Sequence, residues 1–369
     1  MMKFLRILSR WVVGIVFMFS GTVKGVDPLG TAYRIEDYFI AYGADWAMPL
    51  ALLLSISLSA LEFVLGFAML FNTKIKFFSW PLFLLMVFFT LLTLYDAIYE
   101  PVADCGCFGD AIKLSNWETF YKNLVLIVFV SIIFFGRKKI RSPWSASSQL
   151  ILVLIAASGF VWFSVTNLKH LPVMDFRSWS KGSSVKSIDQ SEPDVYLTYR
   201  NILTGETKEY LSPNYPWNDS VWMAKWEFVS QRFEDTGNNN AQLKIESFEG
   251  EDFTRHIIEN PDYQFIVVAY DLDETDTASF AKLNSIYQKA EREDYSMVVL
   301  TSSIPGRVER FKLDHNIEYD FYFADDVILK TMIRSNPGLI LLKDGIVLDK
   351  WHYNDIPGFG DIFAEHIEQ

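Results

Sequence analysis

Cysteine is almost absent from this chain of 369 residues, and histidine is absent from its first 169. Two cysteines, Cys105 and Cys107, are too few for the disulfide framework of a small secreted domain. All five histidines lie beyond residue 169, so the two thiolates have no imidazole near them in the sequence to complete a zinc site. The sequence therefore argues against a disulfide scaffold and against a metal centre at the cysteines.

Charge is also sparse in the first part of the chain. Up to Thr166 there are 13 Lys and Arg and 10 Asp and Glu, against 20 and 35 beyond it. The low-charge part contains five apolar blocks, each near the roughly 20 residues that a helix needs to cross a bilayer. The blocks are residues 11–23, 48–71, 77–99, 119–135 and 149–166. The remainder is acidic and polar, so we expect no nucleic-acid partner.

The cations between the apolar blocks predict the orientation of the chain. Cytoplasmic loops are enriched in Lys and Arg. Three connecting segments are basic, through Lys3, Arg6, Arg10, Lys74, Lys76, Arg137, Lys138, Lys139 and Arg141. We therefore expect a multi-pass protein of the cytoplasmic (inner) membrane, surrounded by membrane lipid, with its N-terminus inside and its C-terminal part outside, in the periplasm if the cell is Gram-negative. A cleaved signal peptide is the alternative for the first block, but "SGTVKGVDP" offers no small-x-small cleavage site, and we expect a retained helix.

The acidic part divides into three segments. Residues 167–194 are polar, without sustained periodicity, and predict a linker. Residues 195–246 predict a small β module with a hairpin at Thr204 and Gly205. This module contains three tryptophans, Trp217, Trp222 and Trp226. They are candidates for a partner-binding surface, although such residues more often form the core of a small module. Residues 247–369 alternate strands and helices and end in a hairpin and a helix, which predicts an α/β domain with a mixed sheet.

The apolar part carries several motifs of a known family. The stretch "FSGTVKGVDPLG" lies at the end of the first block, "LEFVLGFAML" lies in the second, and "CGCFGD" precedes the fourth. In these features residues 1–140 resemble the DoxX-like membrane proteins, and most closely their MauE (methylamine utilisation) branch. The resemblance implies a four-helix membrane bundle, similar in plan to vitamin K epoxide reductase, with a role in disulfide handling outside the cytoplasmic membrane. Residues 149–166 would add a fifth transmembrane helix.

The last segment resembles a thioredoxin-fold domain. Its "SNPGLILLKDGIVLDKW" is similar to the proline, strand and hairpin element of that fold, which implies a cis bond before Pro337. Where a thioredoxin carries Cys-x-x-Cys, this chain has "DLDETD" at residues 271–276 and no thiol. The expected fold class is therefore an α-helical membrane bundle followed by an extracytoplasmic, thioredoxin-like α/β domain that cannot exchange disulfides.

Cys105 and Cys107 are the candidate catalytic residues. In an extended chain their Cα atoms would lie near the upper limit for a disulfide, and a turn at the intervening glycine would bring them closer. A strained bridge is more easily reduced, as in disulfides that exchange. Asp104 and Asp110 oppose reactivity, because negative charge disfavours the thiolate, and only Lys113 and the start of the next helix act the other way. The alternative is a tight loop in which both cysteines only pack.

Three charged residues of the apolar part are supporting or proton-relay candidates. Glu62 lies in the middle of the second span, where a carboxyl group is costly and marks a functional site by default. The alternative for Glu62 is a protonated side chain bonded to a neighbouring helix. Lys24 and Asp96 lie at predicted outer ends, where a charged side chain can reach water, so structural roles are favoured for both.

These features favour one functional hypothesis. The protein would support thiol-disulfide chemistry, or the maturation of extracytoplasmic proteins, by exchange between Cys105, Cys107 and a protein partner. It would act as a thiol-disulfide oxidoreductase or as a redox accessory protein. Relay of electrons to a membrane quinone usually takes two thiol pairs, so the single pair argues against a self-sufficient oxidase. The sequence fixes no cofactor, although a quinone is a candidate. The alternative is a non-enzymatic scaffold whose acidic pseudo-thioredoxin domain recruits partner proteins.

Overall fold

A computed structural model describes most of the chain. It covers residues 2–102, 106–186, 194–211, 216, 220–223, 225–234 and 243–368. The chain forms two compact units, Met1–Arg177 with Trp351–Asp355, and Ser178–Lys350 with Ile356–Gln369. We refer to the first as the membrane unit and to the second as the C-terminal unit.

Five helices of the membrane unit are long and apolar enough to cross a membrane. In chain order the helices of this unit are α1 (Met2–Val26), α2 (Pro28–Ala41), α3 (Ala51–Phe71), α4 (Ile75–Tyr99), α5 (Asn116–Gly136) and α6 (Ala146–Lys169). Of these, only α2 is too short to span a bilayer. The five spans predicted from the apolar blocks are therefore confirmed, and the chain is a multi-pass membrane protein.

Local sequence signals explain where two of these helices begin. At the start of α5, the Ser115 hydroxyl accepts a hydrogen bond from the Glu118 backbone N–H at 3.3 Å, and a Glu118 carboxylate oxygen accepts one from the Ser115 N–H at 2.9 Å. This is the capping box expected from their spacing. At the start of α2, Asp27 accepts a hydrogen bond from the Gly30 N–H at 2.8 Å, and Pro28 occupies the first helical position. Helix α2 was not predicted, because it contains no long apolar run.

Helices α1 and α3 approach each other closely at glycines. A Cβ atom on Gly66 would lie 2.4 Å from the backbone nitrogen of Met18, and one on Gly21 would lie 2.6 Å from that of Phe63. Small residues at such positions let the backbones of membrane helices pack directly. Next to this crossing, α1, α3, α4 and α5 enclose a fully buried core that includes Val13, Leu65, Met69, Leu82, Val130 and Ile133. The close crossing fixes the register between α1 and α3, on which the candidate site depends.

The C-terminal unit contains a small antiparallel sheet. Its strands are β1 (Asp194–Asn201), β2 (Thr207–Leu211) and β3 (Trp226–Glu234), in the order β2-β1-β3, with one helical turn, α7 (Ser220–Met223), before β3. The loop that joins β1 to β2 contains Thr204 and Gly205, so the predicted hairpin is present.

Aromatic rings pack together on this small sheet. The ring centroid of Trp222 lies 4.8 Å from that of Tyr199, 5.6 Å from that of Tyr210 and 5.9 Å from that of Trp226. Trp222 and Trp226 thus contribute to the packing of the module. Trp217 lies outside the described residues.

A five-stranded mixed sheet forms the centre of the C-terminal unit. Its strands are β4 (Tyr263–Val268), β5 (Ser296–Thr301), β6 (Asp320–Phe323), β7 (Gly338–Lys343) and β8 (Ile346–His352), and the helices around them are α8 (Thr254–Ile258), α9 (Phe280–Arg292), α10 (Pro305–His315), α11 (Asp326–Met332) and α12 (Phe359–His366). The strand order is β6-β5-β4-β7-β8. Strands β4, β5 and β6 run parallel, and β7 runs antiparallel to β4.

This sheet has the arrangement expected of a thioredoxin-like domain. Strands β4, β5 and β7 are buried along nearly their whole length, as strands covered on both faces are. The Asp344-Gly345 turn joins β7 to β8, and the Asn336–Pro337 peptide bond just before β7 is cis. The predicted fold class, a membrane bundle followed by a thioredoxin-like α/β domain, is confirmed.

Part of the predicted linker belongs to the C-terminal unit. Helix α6 continues to Lys169, three residues past the predicted end of the fifth span. Trp179 and Val185 are 2% and 3% exposed. Backbone hydrogen bonds of 2.7 Å run from Gly182 N–H to the Val347 oxygen and from Val185 N–H to the Gly345 oxygen. The linker prediction missed this segment because isolated apolar residues between polar ones show no periodicity.

Candidate functional site

The loop between α4 and α5 brings Cys107 to the membrane unit's interior. Gly106 and Gly109 have positive φ angles of +61° and +52°, and the Gly109 N–H donates to the Gly106 oxygen at 3.0 Å, which makes this a tight turn. A Cβ atom on Gly106 would lie 3.0 Å from Arg34 Cγ. Cys107 is half-buried in this turn. Cys105 lies outside the described residues.

Cys107 lines a cavity of about 300 Å³ inside the helical bundle. Most of the wall is apolar and includes Val16, Phe17, Ile35, Phe39, Leu58, Met86, Phe89, Leu92, Phe108 and Leu126. The wall also contains a few polar and charged side chains, among them Ser20, Lys24, Arg34, Tyr38, Glu62 and Lys122. A mostly apolar cavity with a few convergent polar groups is the usual form of a small-molecule site.

Lys24 and Glu62 form an ion pair at this cavity. Lys24 Nζ lies 2.7 Å from Glu62 Oε1 and 2.9 Å from Oε2, and the two side chains are 7% and 3% exposed. The expectation that Lys24 reaches water from the outer end of α1 is therefore wrong. The close crossing of α1 and α3 turns Lys24 inward, where the carboxylate of Glu62 compensates its charge. Glu62, for which the sequence left two interpretations open, is the partner of Lys24 in the bundle core.

Ser20 connects this ion pair to the cysteine loop. It lies one helical turn before Lys24 and so shares its face of α1. The Ser20 hydroxyl oxygen is 2.8 Å from Glu62 Oε2 and 2.7 Å from the carbonyl oxygen of Cys107. Its one proton can serve only one of these acceptors at a time. Sequence reasoning did not find Ser20, because a serine in an apolar helix gives no signal until its neighbours are known.

Asp96 is buried on α4 and lies apart from the cavity wall. It has no exposed surface, and the Tyr38 hydroxyl donates a hydrogen bond of 2.7 Å to its Oδ2. Its Oδ1 has no hydrogen-bond partner among the described residues. The expectation that Asp96 reaches water is also wrong, because Tyr38 of α2 covers this end of α4. Only Tyr38 of this pair lines the cavity.

Positive charge outweighs negative charge around the cavity. Lys24, Arg34 and Lys122 line it, whereas Glu62 is the one carboxylate among the described lining residues. Lys122 Nζ lies 4.4 Å from the centroid of the Phe108 ring, next to Cys107 in the chain. Asp110, which was expected to disfavour the thiolate, lines a different and much smaller pocket. No local sequence pattern indicates this balance of charge, because the cations come from three separate helices.

The C-terminal unit has an acidic loop at the position of the thiols of a thioredoxin. Asp273 accepts a hydrogen bond of 2.6 Å from Arg307 Nε. The Asn336 side-chain amide donates to the Asp271 backbone oxygen at 2.8 Å, and the Asp276 N–H donates to the Asn336 oxygen at 2.9 Å. These bonds fix residues 271–276 against the segment before β7, and the unit contains no cysteine.

Comparison with protein families identifies the helical part of the chain. Residues 2–136 match the model of the family described as methylamine utilisation protein MauE. The matched region ends with α5 and contains all the residues that line the Cys107 cavity. The resemblance noted in the sequence is confirmed for this region. No curated protein matches the chain.

Comparison with solved structures finds thioredoxin-fold proteins. StoA from Bacillus subtilis is similar at 15% identity and a TM-score of 0.24, over 29% of this chain and 85% of its own. Two Xanthomonas campestris structures, of bacterioferritin comigratory protein and of a cysteine-to-serine mutant of peroxiredoxin Q, each show 12% identity and a TM-score of 0.24, over 33% of this chain and 85% of their own. At these values the assignment of the C-terminal fold rests on its own strand order.

Proposed function

We propose that this protein supports thiol-disulfide chemistry outside the cytoplasmic membrane, with Cys105 and Cys107 as the exchanging pair. The observation that carries the proposal is the position of Cys107 on the wall of a mostly apolar cavity, beside the buried Lys24–Glu62 pair. An ion pair in a bundle core costs desolvation energy and contributes little to net stability. Its presence beside a cysteine therefore favours a role in the chemistry of that cysteine.

The charges around the cavity support a reactive thiol. The thiolate is the nucleophile in disulfide exchange, and nearby cations favour it. Lys122 and Arg34 line the same cavity as Cys107, whereas the charge of Lys24 there is compensated by Glu62 and Arg34 also pairs with Asp37 at 3.4 Å. When the thiol is ionised, Ser20 and Glu62 would hold the released proton next to the loop. The Ser20 hydroxyl is within hydrogen-bond distance of both Glu62 and the Cys107 carbonyl.

The sequence holds one thiol pair and so no second pair to act as a relay. In this proposal a membrane quinone in the cavity would therefore meet the Cys105–Cys107 pair directly as the electron acceptor. The volume of about 300 Å³ is at the lower end for small-molecule sites, and the wall is apolar and aromatic. When bound, a quinone would accept the two electrons and two protons that the two thiols release as the Sγ–Sγ bond of Cys105 and Cys107 forms. Lys24 and Ser20 would orient its oxygen atoms, and the surrounding helices would exclude water.

In this proposal the C-terminal unit binds the extracytoplasmic protein partner. It supplies no thiol, because residues 271–276 replace the Cys-x-x-Cys motif. Its thioredoxin-like fold would therefore present the partner to the membrane unit rather than react with it.

The thiol state of the full-length protein tests the proposal. After isolation under oxidising conditions, we expect alkylation to add no mass, and after reduction to add two alkyl groups. A soluble quinone analogue should then restore the oxidised form. Glu62→Gln keeps both cysteines and should slow this reoxidation without changing the number of alkylated thiols, whereas Cys107→Ser should abolish it. Two alkylated thiols in the oxidised sample, or reoxidation of Cys107→Ser by the quinone analogue at an unchanged rate, would contradict the proposal.

A non-enzymatic scaffold is the second candidate function. It is favoured by the acidic loop of the C-terminal unit, in which Arg307 holds Asp273 where a thioredoxin is reactive. Co-purification from mild detergent tests it: a protein partner that co-purifies at unchanged stoichiometry with a variant lacking both cysteines would support the scaffold and not the exchange reaction.

A further inference from the structure

A second concave surface lies at the basic end of the membrane unit. It is a groove of about 660 Å³ between the start of α1 and the end of α5, and none of its lining residues belongs to the Cys107 cavity. Its apolar wall consists of Met2, Ile127, Val128, Ile132 and Phe135. Phe135 and Val128 are 78% and 57% exposed. On a membrane-spanning helix, such outward apolar surface contacts lipid.

Two cations lie at the end of this groove. Arg6 packs on Gly136, where a Cβ atom would lie 2.7 Å from Arg6 Nε. The Nε atom is buried and has no hydrogen-bond partner among the described residues. Lys139 lines the same groove and is an exposed residue. The absence of a side chain on Gly136 therefore makes room for a guanidinium whose polar atoms the described part of the chain does not fully satisfy.

The helices of the groove supply no counterion for these cations. Residues 1–26 and 119–174 contain no Asp or Glu. Arg10, at the same end, is engaged by the protein, since it donates to the backbone oxygens of Met69 and Leu70 at 3.0 and 3.3 Å. Arg6 and Lys139 differ in facing a groove, and no carboxylate is among the described residues that line it.

We propose that this groove binds an anionic phospholipid, with its phosphate between Arg6 and Lys139 and an acyl chain along the apolar wall. The apolar run of α5 gives way to basic residues at Arg137, so the groove crosses the boundary between hydrocarbon and headgroups. Basic pockets between helices at this depth are suited to anionic headgroups. A second copy of the chain is a poorer occupant, because a symmetric contact would place like cations against each other.

This proposal is independent of the thiol chemistry and is tested by lipid binding to the full-length protein. Native mass spectrometry in mild detergent would compare phosphatidylglycerol with phosphatidylcholine of the same acyl chains. We expect a preference for phosphatidylglycerol. Arg6→Gln and Lys139→Gln would each remove a direct, charge-assisted contact with the phosphate, so each should reduce the preference about tenfold.

Two control variants distinguish specific lipid binding in the groove from general electrostatic attraction of anionic lipid. Lys3→Gln and Lys138→Gln remove the same charge from the same segments but from side chains that do not line the groove, and we expect them to keep the preference. Arg6→Lys retains the positive charge and should keep most of the preference for phosphatidylglycerol. This result would show that misfolding does not cause the loss in Arg6→Gln. Equal losses in all four charge-removing variants, equal binding of both lipids, or a dimer that displaces lipid would overturn the proposal.

Discussion

In the membrane unit, a cysteine and a buried ion pair share one cavity, whereas in the C-terminal unit the position of the thioredoxin thiols is an acidic surface loop. Lys24 and Glu62 are almost fully enclosed, while Asp273, the partner of Arg307, is 75% exposed at its side chain. The unit with the thioredoxin-like fold therefore contains no cysteine, and the proposed exchange is assigned to the membrane unit. Fold alone did not locate the site, as is general for folds that host many functions.

Removing one partner of the buried pair should produce the largest effect. Lys24→Met leaves the Glu62 carboxylate without its partner in the bundle core, and we expect the free energy of unfolding to fall by about 3–5 kcal/mol. The matched change in the other unit is Lys330→Met. Lys330 pairs with Asp326 at 2.7 Å, one helical turn apart and partly exposed, so its loss should cost at most about 1 kcal/mol. Thermal unfolding of both variants in one detergent measures the difference.

A double variant shows whether this loss comes from uncompensated charge. Lys24→Met combined with Glu62→Met replaces the pair by apolar side chains of similar length, and much of the stability should return. Equal destabilisation in the single and double variants would mean that Lys24 acts through its packing alone, and the contrast between the two units would lose its electrostatic basis.

The helix crossing that forms the ion pair should be the next most sensitive feature. Gly66→Ala places a methyl group 2.4 Å from the Met18 nitrogen, which has to push α1 away from α3, at a cost of about 1–3 kcal/mol. Gly159 of α6 is the control, because a Cβ atom there meets no atom within 4 Å. Gly159→Ala should be neutral or stabilise the helix by up to about 1 kcal/mol. Similar melting shifts in both variants would show that the crossing is not tightly packed.

The sequence was sufficient for features that depend on local pattern. Apolar blocks near the length of a bilayer-spanning helix predicted all five spans. The Ser115–Glu118 spacing is that of a capping box and marks the start of α5, and Asp344-Gly345 is a typical turn sequence and joins the strands of the last hairpin. In each case the determining residues lie within a few positions of one another, so no knowledge of the tertiary structure was needed.

The residues that come together at the candidate site could not be predicted from local sequence patterns. Lys24 and Glu62 are 38 residues apart, and their pairing depends on the register that Gly21 and Gly66 set between α1 and α3. A charged residue near a helix end was assumed to reach water, and for Lys24 and Asp96 other helices cover that path. Ser20 can be recognised as a site residue only from the structure, in which its hydroxyl contacts the Cys107 loop.

Alkaline titration should give the smallest effect, confined to the C-terminal unit. The hydrogen bond from the Tyr287 hydroxyl to Glu291, at 2.8 Å, together with burial and nearby carboxylates, raises the pKa of Tyr287 to about 12. An unfolded tyrosine titrates near about 10. Above that pH the unfolded state loses the proton and the folded state keeps it, so this contribution to stability is present below about pH 10 and is lost as the pH rises toward 12.

Tyr319, whose ring centroid lies 5.0 Å from that of Tyr287, provides the matched comparison. Burial raises its pKa as well, but its hydroxyl has no hydrogen-bond partner among the described residues. Tyr319→Phe should therefore leave stability at neutral pH unchanged or slightly higher, since it removes an unsatisfied buried group, whereas Tyr287→Phe should lower it slightly by removing a hydrogen bond. Both variants should flatten the fall in stability between pH 10 and 12, measured by hydrogen exchange of β5 or by thermal melting. If stability falls with the same slope in a variant that carries both Tyr287→Phe and Tyr319→Phe, other groups control the alkaline response.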